Sequence, residues 1–206
     1  MSAIHGGQIG SLEEHADEGR DLNRWGMIFF IASEALIFAN FIASYLYLEI
    51  RNGNWTLPNG ELLPWQFTAF NTFLLIASSF TMHFASEGIA KGDKKRLVWG
   101  LFATVLLGAI FLAGQSYEYS NLFSEGFTIS YKTFGSAFFM LTGFHGLHVT
   151  IGVIFLTICL IRALRGDFTA KRHFAVEAGA MYWHFVDIVW IVVFSTVYLL
   201  PYLLPR

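Results

Sequence analysis

Charge is the first thing this chain lacks. Only 14% of its 206 residues are Asp, Glu, Lys or Arg, whereas 55% are hydrophobic and 17% aromatic. Soluble domains carry about a quarter charged residues, so the deficit makes lipid the main solvent. Cysteine is nearly absent too: Cys159 stands alone in an apolar run. An intrachain disulfide and a Cys-based metal or redox site within this chain are therefore excluded, and Cys159 reads as a small buried hydrophobe. No short apolar h-region followed by a small-residue cleavage site opens the sequence, so no cleavable signal peptide is expected. Internal repeats, low-complexity tracts and a second domain are also missing. Basic residues are juxtamembrane rather than clustered on a patch, which leaves nucleic-acid binding without support.

What is present is apolar length. Runs near 25–48, 67–84, 97–114, 134–161 and 176–204 are each long enough, or nearly so, to cross a hydrocarbon core of about 30 Å. The second is the weakest, interrupted by Asn71, Ser78 and Ser79. The expected fold is all-α: a polytopic bundle of five transmembrane helices over residues 24–206, preceded by a polar, acid-rich leader over residues 1–23 that is expected to be mobile. The basic residues split by side. Arg20, Arg24, Lys91, Lys94, Lys95, Arg96, Arg162, Arg165, Lys171 and Arg172 fall on one side, and Arg51, Lys132 and Arg206 on the other. Under the positive-inside rule the N-terminus is cytoplasmic and the C-terminus periplasmic. Trp25, Tyr45, Tyr47, Trp65, Tyr117, Tyr119, Tyr131 and Tyr202 stand at span ends, as an interfacial aromatic belt would.

Ionisable residues inside these spans are the candidates for function, because hydrocarbon penalises them by several kcal/mol unless protein partners them. Glu34 lies nine residues beyond Trp25, or about 14 Å at the helical rise, near the bilayer midplane. His145 and His148 share a face of the fourth span. Glu177, Met181, His184 and Asp187 share one of the fifth. The expected arrangement is a buried polar layer of Glu34, His148 and His184, with His145, Glu177 and Asp187 as neighbours. Its role is either interhelical packing or proton handling. Small residues (Gly143, Gly146 and Gly152; Ala178, Gly179 and Ala180) predict close helix contact at the same places. A haem held between His148 and His184 is the one metal reading the residues allow. Hard or borderline metals need three or four converging ligands, and none is assigned here. An autonomous haem carrier or proton transporter forms the competing class, although no matched Pro or Gly breaks divide the spans into half-helices.

Several motifs then converge. Gly-Ser-Ala-Phe-Phe at 135–139, Thr-Gly-Phe-His-Gly-Leu-His-Val at 142–149 and Tyr-Trp-His-Phe-Val-Asp-Ile-Val-Trp at 182–190 resemble subunit III of the haem–copper oxidases. So do Trp-Gly-Met-Ile-Phe-Phe-Ile-Ala-Ser-Glu at 25–34, Gln115-x-x-Glu118-Tyr119 and Phe-Thr-Ile-Ser at 127–130. The resemblance implies a helical subunit with no cofactor of its own, beside catalytic subunit I and subunit II that hold haem and copper. It also implies bound phospholipid, with Arg24 and Glu34 as lipid contacts. By the same resemblance, Glu34 is the family's buried glutamate, and His148, Glu177, His184 and Asp187 are its polar positions in the last two helices. This chain is similar to the shorter, five-span bacterial form, which places it in a bacterial inner membrane. Its His83 does not align cleanly with the histidines the family carries at the end of the second shared helix. A cytochrome c oxidase is the favoured complex. Subunit III of a quinol oxidase and a nitric-oxide-reductase accessory protein are the alternatives.

Overall fold

The computed structural model describes residues 4–53 and 55–203, with side chains from residue 22 onward. Four long helices come first: α1 (Ile4–Asn52), α2 (Gln66–Ala90), α3 (Lys94–Ser124) and α4 (Lys132–Arg165). The fifth crossing is composite. It begins as α5 (Phe174–Phe194), loosens into a π-helical turn over Ser195–Leu199 and ends as α6 (Leu200–Leu203). All five are long and apolar enough to cross a membrane, the first from Leu22 to Asn52. The first four overrun the apolar spans of the sequence by about one to three turns at their C-terminal ends, because polar interfacial residues continue the backbone hydrogen bonding. The leader's side chains lie outside the described residues.

Three of the four helix-to-helix turns at issue are dictated locally. Gly92, Gly126 and Gly166 each adopt a left-handed conformation (φ 77°, 81° and 82°) just past a helix. In each case the next residue's N–H reaches back five residues, as in Asp93 N to Gly88 O at 2.8 Å. That closes the orphan carbonyls of the preceding helix. Asp93 then caps α3, its Oδ1 accepting from Lys95 N at 3.0 Å and Arg96 N at 3.1 Å. Asp93→Ala should remove about 0.5–2 kcal/mol of stability, read as a lower thermal midpoint in detergent, with Asp93→Asn nearly neutral.

The π turn has a local cause as well. Pro201 has no N–H to return to Val197 and its ring crowds that carbonyl. The helix widens just before it, with Leu200 N bonding Ser195 O.

The two ends of the bundle are set by contacts between loops. Tyr202 Oη donates to Leu63 O at 3.0 Å, and Trp55 packs on Phe134 with ring centroids 4.9 Å apart. These join the α1–α2 loop, the start of α4 and the C-terminal helix at one end. The α2–α3 and α4–α5 turns lie at the other, where Lys94 comes close to Gly166. In sequence, α2 and α3 form the tightest pair, and α1 touches chiefly α4 and α5. Two expected belt residues turn inward. Tyr45 is buried edge-on against Trp55 at 4.8 Å, and the Tyr119 hydroxyl bonds Thr142 Oγ1 at 2.7 Å. Loop packing and an interhelical partner overrode their positions near helix ends.

The centre is organised by two indoles on α5. Trp183 and Trp190 are one heptad apart, and both are fully buried. Trp183 Nε1 donates to Ser78 Oγ and Trp190 Nε1 to Thr72 Oγ1, each at 2.9 Å. The Trp183 ring lies where Gly108 of α3 and Gly152 of α4 leave room. A Cβ at either position would come within 2.7–2.8 Å of it.

Candidate functional site

Glu34 and His148 meet across the α1–α4 seam, with Oε2 and Nε2 3.0 Å apart. His148 Nδ1 sits 2.8 Å from Phe144 O. A carbonyl can only accept, so Nδ1 carries a proton. The Nε2···Oε2 contact then needs one more proton, held by either the carboxyl or the imidazole. The pair is thus neutral as a unit whichever partner holds it. That lowers the cost of keeping both groups at membrane depth, where a lone charge is penalised heavily. Their side chains are 17% and 8% exposed. Phe38 lies edge-on to the imidazole at 5.0 Å, and Tyr182 donates to His148 O at 3.1 Å. Phe38, Phe144 and Tyr182 thus surround the imidazole with aromatic rings.

His184 belongs to a second group, on the α2–α5 seam. Its Nδ1 lies 2.9 Å from Ser79 Oγ, and the Ser79 hydroxyl donates to Asp187 Oδ2. Since Ser79 has one proton and gives it to Asp187, the consistent order is His184 N–H to Ser79 to carboxylate. Asp187 is 4% exposed, and its Oδ1 finds no partner among the described residues.

The single layer expected from sequence is therefore divided into two hydrogen-bonded groups on different seams. The remaining candidates scatter. His145 is fully buried, stacked on Trp190 at 4.6 Å, and neither ring nitrogen has a polar partner among the described residues. It packs as an aromatic. Glu177 bonds His173 Nε2 at 2.9 Å one helical turn away, near the start of α5 and apart from both groups. Arg24 is exposed on α1. Among the described residues no three His, Cys, Asp or Glu side chains converge as a metal would require.

The family described as cytochrome c oxidase subunit III matches residues 9–202. Curated proteins named cytochrome c oxidase subunit 3 match as well. Those of Drosophila melanogaster and Homo sapiens are each 42% identical over 182 residues, which is 85% of this chain and 68% of the relative. That of Triticum aestivum is 40% identical over 195 residues, or 91% of this chain and 72% of the relative.

The chain belongs to the cytochrome c oxidase subunit III family.

Both hydrogen-bonded groups, Glu34–His148 and Ser79–His184–Asp187, fall inside the matched region of this subunit III family chain. A third buried acid was absent from the sequence-derived candidates. Glu118 of α3 is 9% exposed and accepts from Thr68 Oγ1 of α2 at 2.8 Å. The Tyr198 hydroxyl, brought inward by the π turn, adjoins the same carboxyl. One turn away, Gln115 Nε2 donates to Thr142 O at 3.0 Å. Together these residues tie α2, α3, α4 and the last crossing near one end of the bundle. The motif Gln115-x-x-Glu118-Tyr119 held the signal: three polar residues on one face of an apolar helix. Ser79, by contrast, looked only like a break in the second span.

Proposed function

We propose that this chain acts as the accessory subunit III of a cytochrome c oxidase in a bacterial inner membrane, with the N-terminus cytoplasmic and no redox centre of its own. The observation that carries this reading is the family match over residues 9–202, across every crossing. Haem and copper would reside in the partner subunits I and II, where oxygen is reduced. The Glu34–His148 pair would hold α1 against α4 on the flank of the catalytic subunit and support its proton-uptake side. Arg24, at the start of the membrane-spanning part of the same helix, would bind a lipid phosphate. The division of basic residues between the two ends of the bundle supports the proposed orientation.

An autonomous haem carrier has less support. Axial ligation would need two imidazoles facing one plane, but His148 and His184 occupy separate seams, bonded to Glu34 and Ser79 respectively.

Purification in mild detergent through a tag on this chain tests the reading. Haem and copper spectra should co-purify with a larger polytopic chain and be lost when the tagged chain is stripped away. Haem retained by the isolated chain would overturn it.

A further inference from the structure

At the end of the bundle opposite Trp55, the first turn of α3 and the last turn of α4 enclose an open pocket of about 360 Å³. Lys94, Lys95 and Arg165 form its rim, and Val98, Trp99 and Leu164 its apolar wall. Trp99 and Leu164 are 68% and 67% exposed. Orientation rules alone account for basic residues at this end, so the informative contrast is how each cation is used. Lys91 bonds Glu87 at 2.5 Å, Arg162 bonds Asp167 at 3.3 Å, and the Arg96 guanidinium sits over the Phe84 ring at 4.5 Å. Among the described residues, Lys94, Lys95 and Arg165 pair with no carboxylate. The nearest acid in sequence, Asp93, spends its carboxylate on capping α3. Arg24, Lys171 and Arg172 also pair with no carboxylate among the described residues, but only Lys94, Lys95 and Arg165 converge on one apolar-walled pocket.

We propose that this pocket binds an anionic phospholipid, its headgroup phosphate on Lys94, Lys95 and Arg165 and one acyl chain along Val98, Trp99 and Leu164. The position fits. Both helices enter the apolar layer here, so the cations lie at headgroup depth and the exposed indole at the interface that tryptophan favours. Basic pockets between transmembrane helices recognise anionic headgroups through charge plus a fixed geometry. A free phosphate would use the rim but leave the apolar wall idle. The seam is α3–α4, whereas Arg24 and Glu34 belong to α1.

The test uses the full chain in its purified complex, titrated with dioleoylphosphatidylglycerol or dioleoylphosphatidylcholine and read by native mass spectrometry. Phosphatidylglycerol should be retained preferentially. Arg165→Gln should weaken retention roughly fivefold, and K94Q/K95Q/R165Q on the order of a hundredfold, at about a factor of five per charge. The charge-preserving K94R/K95R/R165K should retain most of the binding. An equal loss in K91Q/K171Q/R172Q, which removes the same charge from the same end, would overturn the site in favour of diffuse attraction. Absence of headgroup preference, or displacement by millimolar inorganic phosphate, would overturn it too.

Discussion

Trp183→Ala is expected to be the most damaging single substitution in this protein, costing about 3–5 kcal/mol of stability. Three terms act together. Truncation empties the space between Gly108, Gly152 and Ser78, leaving their atoms without dispersion partners. It removes the indole N–H that the Ser78 hydroxyl accepts at 2.9 Å, leaving that oxygen only its bond to Leu75 O. It also loosens α5 from three helices at once. In lipid no hydrophobic force draws helices together, so close packing and interhelical hydrogen bonds carry the association. Thermal unfolding in detergent should show the loss, together with release of this chain from its complex. Trp183→Phe keeps most of the ring and should lose only the hydrogen bond, about 1 kcal/mol. Gly152→Val, which drives a branched side chain into the same ring, should destabilise by roughly 1–3 kcal/mol through overpacking. If Trp183→Ala left the melting midpoint unmoved, the proposed role of the indole as the central packing element would be wrong.

The second large effect concerns the Glu34–His148 pair. Either single truncation leaves one buried polar group without its partner and should cost about 1–3 kcal/mol. Glu34→Ala strands Nε2 of His148, and His148→Phe strands the carboxyl. Removing both should cost less than the two losses combined, so the double-mutant cycle should return a coupling of about 1–3 kcal/mol. Glu34→Gln offers a sharper distinction. Its amide N–H can donate to Nε2 while Nδ1 keeps its proton for Phe144 O, so packing survives but the mobile proton between the partners is gone. If the pair only holds α1 against α4, Glu34→Gln should match the native complex in both assembly and turnover lifetime. If the proton itself matters to the partner's uptake side, turnover lifetime should fall while assembly is retained. An unchanged lifetime and association in Glu34→Ala would reduce the pair to dispensable packing.

Sequence and structure divide the credit unevenly, and the second crossing shows why. Asn71, Ser78 and Ser79 made α2 the least convincing span, since hydropathy counts each only as a cost. In the fold Asn71 Nδ2 donates to Phe111 O at 2.9 Å, Ser78 receives the Trp183 indole, and Ser79 joins His184 to Asp187. The residues that weakened the apolar signal are those that attach α2 to α3 and α5. Gly146 and Gly152 were legible as close-packing positions, and a Cβ at either would lie within 2.8 Å of Gln115 or Trp183. Gly143, of the same pattern, meets only the Tyr119 hydroxyl at 3.8 Å.

Periodicity, apolar length and the placement of basic residues are properties of contiguous chain, so the five helices, their turns and the polar face of each were determined by the sequence itself. Partner choice is not contiguous. Glu34 and His148 are 114 residues apart, Ser79 and Asp187 108, and Thr68 and Glu118 50. A helix face defines an arc of directions but does not say which neighbour will stand there. Only the packing of α1 on α4 and of α2 on α5 decided that one expected polar layer would become two separate groups. The same packing turned a third acid, Glu118, inward to Thr68.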